Sequence, residues 1–170
     1  MCILTAQTLV CAVFVYKGGL VVEVQYGNPE IIGPWMEMVS SVRAVFPGLE
    51  TESALEGHKN TVLRFMKEGR ALCVMGSDGL AGVLLLSKKR NMICCLAVAK
   101  AYRGKGIGSA LLEKALAVLD RSRPIEVTTY RENDEKGIAA RKLYKKFGFQ
   151  EMELLTEYGY PLQRFVLKEK

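Results

Sequence analysis

The chain has 170 residues, 49% of them hydrophobic, and a formal net charge of +6. That length suits one domain of ordinary size, and the apolar fraction excludes a disordered chain. The basic residues are scattered, and no aromatic residues interleave with them as a nucleic-acid-binding surface would need. Residues 1 to 16 carry no charged side chain. Leu9 to Tyr16 is apolar and strand-forming. It lacks the positive flank and small-residue cleavage site of a secretory leader. Thr5, Gln7 and Thr8 interrupt the chain before it and Lys17-Gly18-Gly19 stops it, so it is also too short to span a membrane. The reading is an extra strand hairpinned through Lys17-Gly18-Gly19 onto Leu20 to Tyr26, with an extension upstream of the native start as the alternative. Residues 1–19 are therefore set apart as an N-terminal extension, and residues 20–170 form the single domain.

Leu20 to Tyr26 reads as a strand. Asn28-Pro29 is a helix start, with Asn28 as cap and Pro29 in the first turn. The helix is expected to reach Phe46, with a kink or break at Gly33-Pro34, and to stop before Pro47-Gly48. A second helix covers about Ser53 to Glu68, closed by Gly69. Ala71 to Met75, Leu80 to Ser87 and Met92 to Val98 read as strands. Ser77-Asp78-Gly79 and Lys88-Lys89-Arg90-Asn91 join them as hairpins. A helix over Ile107 to Leu119, a strand over Pro124 to Tyr130 and a helix over Ala139 to Phe149 follow. Glu151 to Glu157 and Leu162 to Lys168 are closing strands. Cys2, Cys11, Cys73, Cys94 and Cys95 have no metal-type spacing, so no metal site is expected. Unbridged cysteines in apolar strands suit a reducing, cytoplasmic setting.

The most informative stretch is Arg103-Gly104-Lys105-Gly106-Ile107-Gly108, between a strand and a helix. The first N–H groups of a helix have no intrahelical partner, and its dipole favours an anion there. Glycine lets the backbone approach a ligand closely, and Arg103 and Lys105 add positive charge. Two phosphate-binding patterns fail on spacing. No G-x-x-x-x-G-K-[ST] string occurs. A G-x-G-x-x-G would put its third glycine at Ser109 or Leu111. Glu126 opens a strand where the ribose-binding acid of a dinucleotide fold should close one.

Arg103, Gly106 and Gly108 resemble instead the R/Q-x-x-G-x-G/A signature of the GNAT superfamily of acyl-CoA N-acyltransferases. The strand Pro124 to Tyr130 follows, and then the helix Ala139 to Phe149 with its tyrosine and Gly148-Phe149, as in GNAT chains. The resemblance is specific from about Met92 to Phe149 and extends over the rest of the domain in element order. It implies a mixed α/β fold with a mostly antiparallel sheet of about seven strands and helices on both faces. The sheet would splay between the fourth and fifth core strands, Met92 to Val98 and Pro124 to Tyr130. Acetyl-CoA (coenzyme A) would enter that gap.

The resemblance also implies roles. The N–H groups of Arg103, Gly104, Lys105, Gly106, Ile107, Gly108 and Ser109 would bind the pyrophosphate. Leu96, Ala97 and Val98 would pair with the pantetheine arm like an added strand. The Val98 N–H would polarise the thioester carbonyl. Tyr144 lies on the apolar stripe Ala140, Leu143, Tyr144 and Phe147, where an aromatic is ordinarily core. The family's tyrosine at that position is the acid that protonates the leaving thiolate. The family's asparagine seven residues before it is Gly137 here, so Asn133 is the substitute, with a turn or cap role as its alternative.

The usual strand glutamate is missing. Glu23, Glu126, Glu132 or water would have to serve as base. His58, the one histidine, is expected on a surface helix. The acceptor, a small-molecule or peptide amine, would meet Pro34 to Leu63 and Thr156 to Gln163. There Trp35, Met36, Met38, Phe46, Tyr158 and Tyr160 would form an apolar wall, with a plain core role as the alternative. The expectation is an N-acetyltransferase acting by direct attack within a ternary complex, with no nucleic-acid or membrane partner and with homodimerisation left open. The alternative is a GNAT-fold domain that binds coenzyme A as a sensor without turnover.

Overall fold

The computed structural model describes residues 12–15 and 21–168. Its strands form one sheet in the order β1-β2-β3-β4-β5-β6-β8-β7. These are β1 Ala12–Val15, β2 Val21–Tyr26, β3 Ala71–Gly76, β4 Gly79–Ser87, β5 Met92–Val98, β6 Ile125–Tyr130, β7 Gln150–Glu157 and β8 Tyr160–Leu167. β5 and β6 run parallel and every other neighbouring pair is antiparallel. The helices are α1 Ile32–Val42, α2 Glu52–Lys67, α3 Ile107–Val118 and α4 Ile138–Lys146. β1 pairs with β2, Ala12 opposite Val24. The remainder of the N-terminal segment, including the expected Lys17-Gly18-Gly19 turn, lies outside the described residues.

Alternation along the strands sorts the core into two layers. Leu72, Val74, Leu84, Leu86 and Ile93 pack with α3 and with Tyr144 and Phe149 at the α4 end. Ala71, Cys73, Val83 and Leu85 pack with Trp35, Met38, Val39, Leu55, Val62 and Phe65 of α1 and α2. Successive strand side chains point to opposite faces, so a strand buried on both sides must be apolar throughout. β4 is such a strand: Leu80 to Ser87 are all buried. Each fully buried Leu, Ile or Phe contributes about 1.5–3 kcal/mol of transfer free energy.

The first helix differs from its expected form. Asn28 caps a 3-10 turn over Pro29–Ile31, its side chain accepting from the Glu30 N–H at 2.9 Å. The α-helix begins only at Ile32, which places Gly33 and Pro34 in its first turn. A proline there costs no helical hydrogen bond, and the expected break falls just before Gly33-Pro34, at Ile31, where the 3-10 turn meets α1. α2 starts as its sequence suggests, Thr51 Oγ1 accepting from the Ala54 N–H at 3.1 Å.

One irregularity shapes the centre of the sheet. β5 faces β4 in register from Gly82–Val98 to Leu85–Cys95, and then Leu86 pairs with Ile93. Cys94 is the extra residue, a β-bulge. Pairing of β5 with β6 is confined to Met92–Glu126 and Ile93–Val127, on the near side of the bulge. Beyond it the strands part. This is the splay expected between the fourth and fifth core strands.

Candidate active site

The bulge decides where the β5 backbone points. The Ala99 N–H donates to the Ala81 carbonyl at 2.9 Å, toward β4. N–H and C=O groups alternate sides along a strand, so those of Val98 and Leu96 point the other way, into the gap. Without the extra residue, their phase would be reversed. Val98 and Leu96 thus offer main-chain donors and acceptors on the open side. The Val98 carbonyl already accepts from Arg103 Nε at 3.3 Å.

β5 runs into the glycine turn. Tyr102 anchors it: its hydroxyl accepts from the Ser77 N–H at 2.8 Å and lies 2.8 Å from Ser77 Oγ. The Tyr102 ring covers Gly76, where any Cβ would stand 2.5 Å from it. The Lys105 ammonium lies 5.1 Å from the same ring's centroid. Gly104 has φ +76° and Gly106 has φ +82°, the left-handed region that favours glycine. A Cβ on Gly104 would meet nothing within 4 Å, so the turn borders open space.

Gly106 is the N-cap of α3 and supplies no side-chain oxygen. The first turn contains no acidic residue either. The amides of Ile107, Gly108 and Ser109 therefore have no internal anion, and the positive end of the helix dipole is uncompensated by the protein. An anionic diphosphate fits this place.

Gly108 is where three elements converge. A Cβ there would lie 3.3 Å from Leu143 of α4, 3.6 Å from Val98 and 3.9 Å from Leu96. Ile107 is different: its side chain is core, pressed against Gly82, so only its amide serves a ligand. Ser109 is buried, and its hydroxyl accepts from Lys146 Nζ at 3.4 Å, which ties α3 to the end of α4.

Tyr144 follows Leu143. It is 4% exposed and packs on Phe149 and Phe165 at 5.6 and 6.1 Å between ring centroids. Its ring is core, as the apolar stripe suggested. Among the described residues its hydroxyl has no hydrogen-bond partner, yet it is not one of the enclosed orphan atoms, which are Trp35 Nε1, His58 Nε2, Arg70 Nε and Arg164 Nε. The hydroxyl therefore keeps at most a sliver of accessible surface, in a residue that is otherwise buried. Burial and then the neighbouring Cys95 push its pKa above the usual tyrosine value. The Cys95 thiol is itself pushed up to about 12, chiefly by burial.

Asn133 is not drawn into this group. It is exposed and lines a separate surface cavity with Arg131, Asp134, Glu135, Lys136 and Pro161. The turn-capping role falls to Asp134, whose side chain accepts from the Lys136 N–H at 2.9 Å. Of the expected acceptor wall, Trp35 (0% exposed) and Met38 are interior core, because α1 turns that side onto β4. Phe46 and Tyr160 do line a cavity, and Tyr158 stands exposed over Gly48.

Among the candidate bases, Glu126 sits at the closed end of the gap, ion-paired to Arg164 at 2.9 Å. His58 is half-buried on α2, and burial lowers its pKa. One important residue escaped the sequence reading. Arg141, buried one turn before Tyr144, donates to the Tyr130 carbonyl at 3.0 Å and to Gln163 at 2.8 Å, and pairs with Glu151. It fastens α4 to the end of β6 and to the last hairpin. Its only signal was a cation placed one turn from Tyr144.

Among the described residues, no cluster of His, Cys, Asp and Glu could hold a metal, and no helix is long and apolar enough to cross a membrane.

No curated protein sequence is significantly similar to the chain. Solved structures are. A GNAT-family acetyltransferase from Streptococcus agalactiae aligns over 92% of this chain and 99% of its own, at TM-score 0.68 and 14% identity. One from Bacillus cereus aligns over 86% and 96%, at TM-score 0.66 and 18% identity. The PaiA N-acetyltransferase of Thermoplasma acidophilum, solved in complex with coenzyme A, aligns over 85% and 98%, at TM-score 0.62 and 17% identity. At these identities the likeness is one of fold. The family model for the acetyltransferase (GNAT) domain matches residues 67–151, half of the sequence, from the end of α2 through the glycine turn to the start of β7. The chain belongs to the GNAT family of acetyltransferases, whose members are acyl-CoA-dependent N-acyltransferases.

Proposed function

We propose that the chain transfers an acetyl group from acetyl-CoA to a primary amine by direct attack within a ternary complex. The observation that carries this reading is the open gap between β5 and β6 with the uncapped α3 N-terminus at its mouth. The amides of Ile107, Gly108 and Ser109 hold the diphosphate, with Gly104 and Gly106 giving the backbone its close approach. Arg103 and Lys105 add positive charge there. The coenzyme supplies the thioester. Leu96 and Val98 offer its amide-bearing arm the donors and acceptors of an unpaired strand edge. The Val98 N–H is aimed at the thioester oxygen, where such a donor contributes roughly 3 kcal/mol to the transition state.

Tyr144 holds the proton that the departing sulfur needs. Its raised pKa does not spoil the match. A thiolate leaving beside it is desolvated by burial too, and burial raises a thiol as it raises a phenol. Phenol and thiol rise together, so the proton can still pass from one to the other. The amine's own proton leaves through water, since Glu126 is engaged with Arg164. The described cysteines, all unbridged, support a reducing compartment and hence the cytoplasm.

The test is thiol release from acetyl-CoA across a panel of amines, including aminoglycosides, polyamines, amino acids and peptide N-termini. Release with at least one class is the expected result. Coenzyme A binding with no release from any amine would leave a sensor rather than an enzyme.

A further inference from the structure

Two surface cavities lie at the end of β6, one lined by Tyr130 and the other by Arg131. One, of about 300 Å³, is lined by Arg43, Phe46, Pro47, Glu50, Tyr130 and Tyr160. The other, of about 390 Å³, is the cavity of Asn133 and Lys136. The Lys136 side chain stands between them. Its ammonium donates to the Tyr160 hydroxyl at 2.9 Å. It lies 5.2 Å from the Tyr160 ring centroid and 5.8 Å from that of Tyr130. The two rings meet edge to face at 5.6 Å. The Tyr160 hydroxyl foremost, then Asp134 and Glu50, hold the Lys136 pKa above the ordinary lysine value. Two aromatic rings, a hydroxyl and nearby carboxylates make a cage suited to an alkylammonium ion. Lys136 fills it from an exposed turn, on a long flexible stem.

The cage is close to the chemistry. Tyr130 closes β6, and its carbonyl accepts from Arg141. Tyr144 is three residues further along α4, about 4.5 Å of helix rise. A cage that stabilises positive charge cannot hold the attacking nitrogen, which must shed its proton to react. The reacting amine belongs in the gap, and the cage suits a second one.

We propose that Lys136 is the internal occupant of a cation subsite, and that the acceptor is a small aliphatic diamine or polyamine whose spectator ammonium displaces it. The place of the reacting amine rests on the transferase reading, whereas the cage does not. The chain's net charge of +6 disfavours a cationic ligand at long range. Salt screens that repulsion beyond about 10 Å, and Glu50, Asp134 and Glu135 line the two cavities.

Calorimetric titration of the whole chain with putrescine and with n-butylamine tests the proposal, alongside the Lys136→Met and Glu50→Gln variants. Putrescine should bind about tenfold more tightly than butylamine, gain further in Lys136→Met, and lose its advantage in Glu50→Gln. Equal binding of the two amines, no gain in Lys136→Met, or an unchanged preference in Glu50→Gln overturns it. Coenzyme A binding in the same titrations reports that each variant is folded. Thiol release is followed in parallel. A diamine preference without any release keeps the cage and sinks the transferase reading, while release from monoamines with no diamine preference does the reverse.

Discussion

At its start, β5 is held on both sides, by β4 and by β6, and the turn before it is locked by one side chain. Asn91 is 2% exposed with φ +51°. Its Nδ2 is shared among the carbonyls of Asp120, Pro124 and Arg123 at 2.8, 3.0 and 3.3 Å. Its Oδ1 accepts from the Asp120 N–H at 2.9 Å, and its own carbonyl accepts from the Glu126 N–H at 3.2 Å. At its end, β5 keeps β4 alone, leaves Leu96 and Val98 facing an open side, and runs through a turn into a helix start where the amides of Ile107, Gly108 and Ser109 meet no anion of the protein. The two ends lie on either side of Cys94. One inserted residue separates a half paired on both sides within the protein from a half that leaves one edge open for a ligand.

That contrast makes the expected effects differ in kind. Asn91→Ala should strike the closed half hardest. It strands several buried main-chain groups at once and should cost about 3 kcal/mol or more, read as a fall in the denaturation midpoint. A loss below 1 kcal/mol would mean that the closed end is not what holds β5 to β6. Tyr144→Phe belongs to the open half and should do the opposite. Turnover should drop roughly 100-fold with coenzyme A affinity kept. Thermal stability should hold or rise, because the hydroxyl has no partner to lose. Unchanged turnover removes Tyr144 from the chemistry.

Gly106→Ala lies at the mouth of the gap. Its left-handed φ should cost about 1–2 kcal/mol of stability and weaken acetyl-CoA binding as well, measured by calorimetry. Stability loss with binding intact would show that the α3 N-terminus is only a turn. The smallest effect concerns neither half and serves as a control. Burial holds His58 below its ordinary value of 6.5, so the fold prefers the neutral ring. The unfolded chain takes up the proton more readily. Stability is therefore full above that pH and falls as pH drops below it, levelling once the folded-state value is passed. His58→Phe should flatten this slope as pH falls below 6.5, leaving the carboxylate-driven loss at lower pH.

Much of this was legible from local chemistry. The glycine turn, the cap at Asn28 and the order of elements along the chain follow from residues acting on near neighbours. Tyr144 lies on a stripe that by itself reads as core, and only the GNAT resemblance singles it out; the structure does bury its ring. Other features depend on partners far away in sequence. Nothing in Ile93-Cys94-Cys95 marks a bulge, because it exists only against the register of Leu85 and Leu86. Trp35 and Met38 read as a ligand wall because apolarity alone cannot tell a cavity from a core. Lys136 and Glu50 carry no local signal, and Tyr160 reads only as part of an apolar wall. Their meeting depends on how the last hairpin folds back over the α1–α2 connection.

The Tyr102 tether has a thermodynamic consequence. Its ring seated on Gly76 and its hydroxyl on Ser77 fasten the glycine turn to the β3–β4 hairpin before any coenzyme arrives. A diphosphate then docks onto amides already aligned, and little chain disorder has to be frozen out at that moment. Cutting the tether with Tyr102→Phe should leave the contact atoms in place but shift association toward a larger entropic penalty, visible as weaker binding with a more favourable enthalpy.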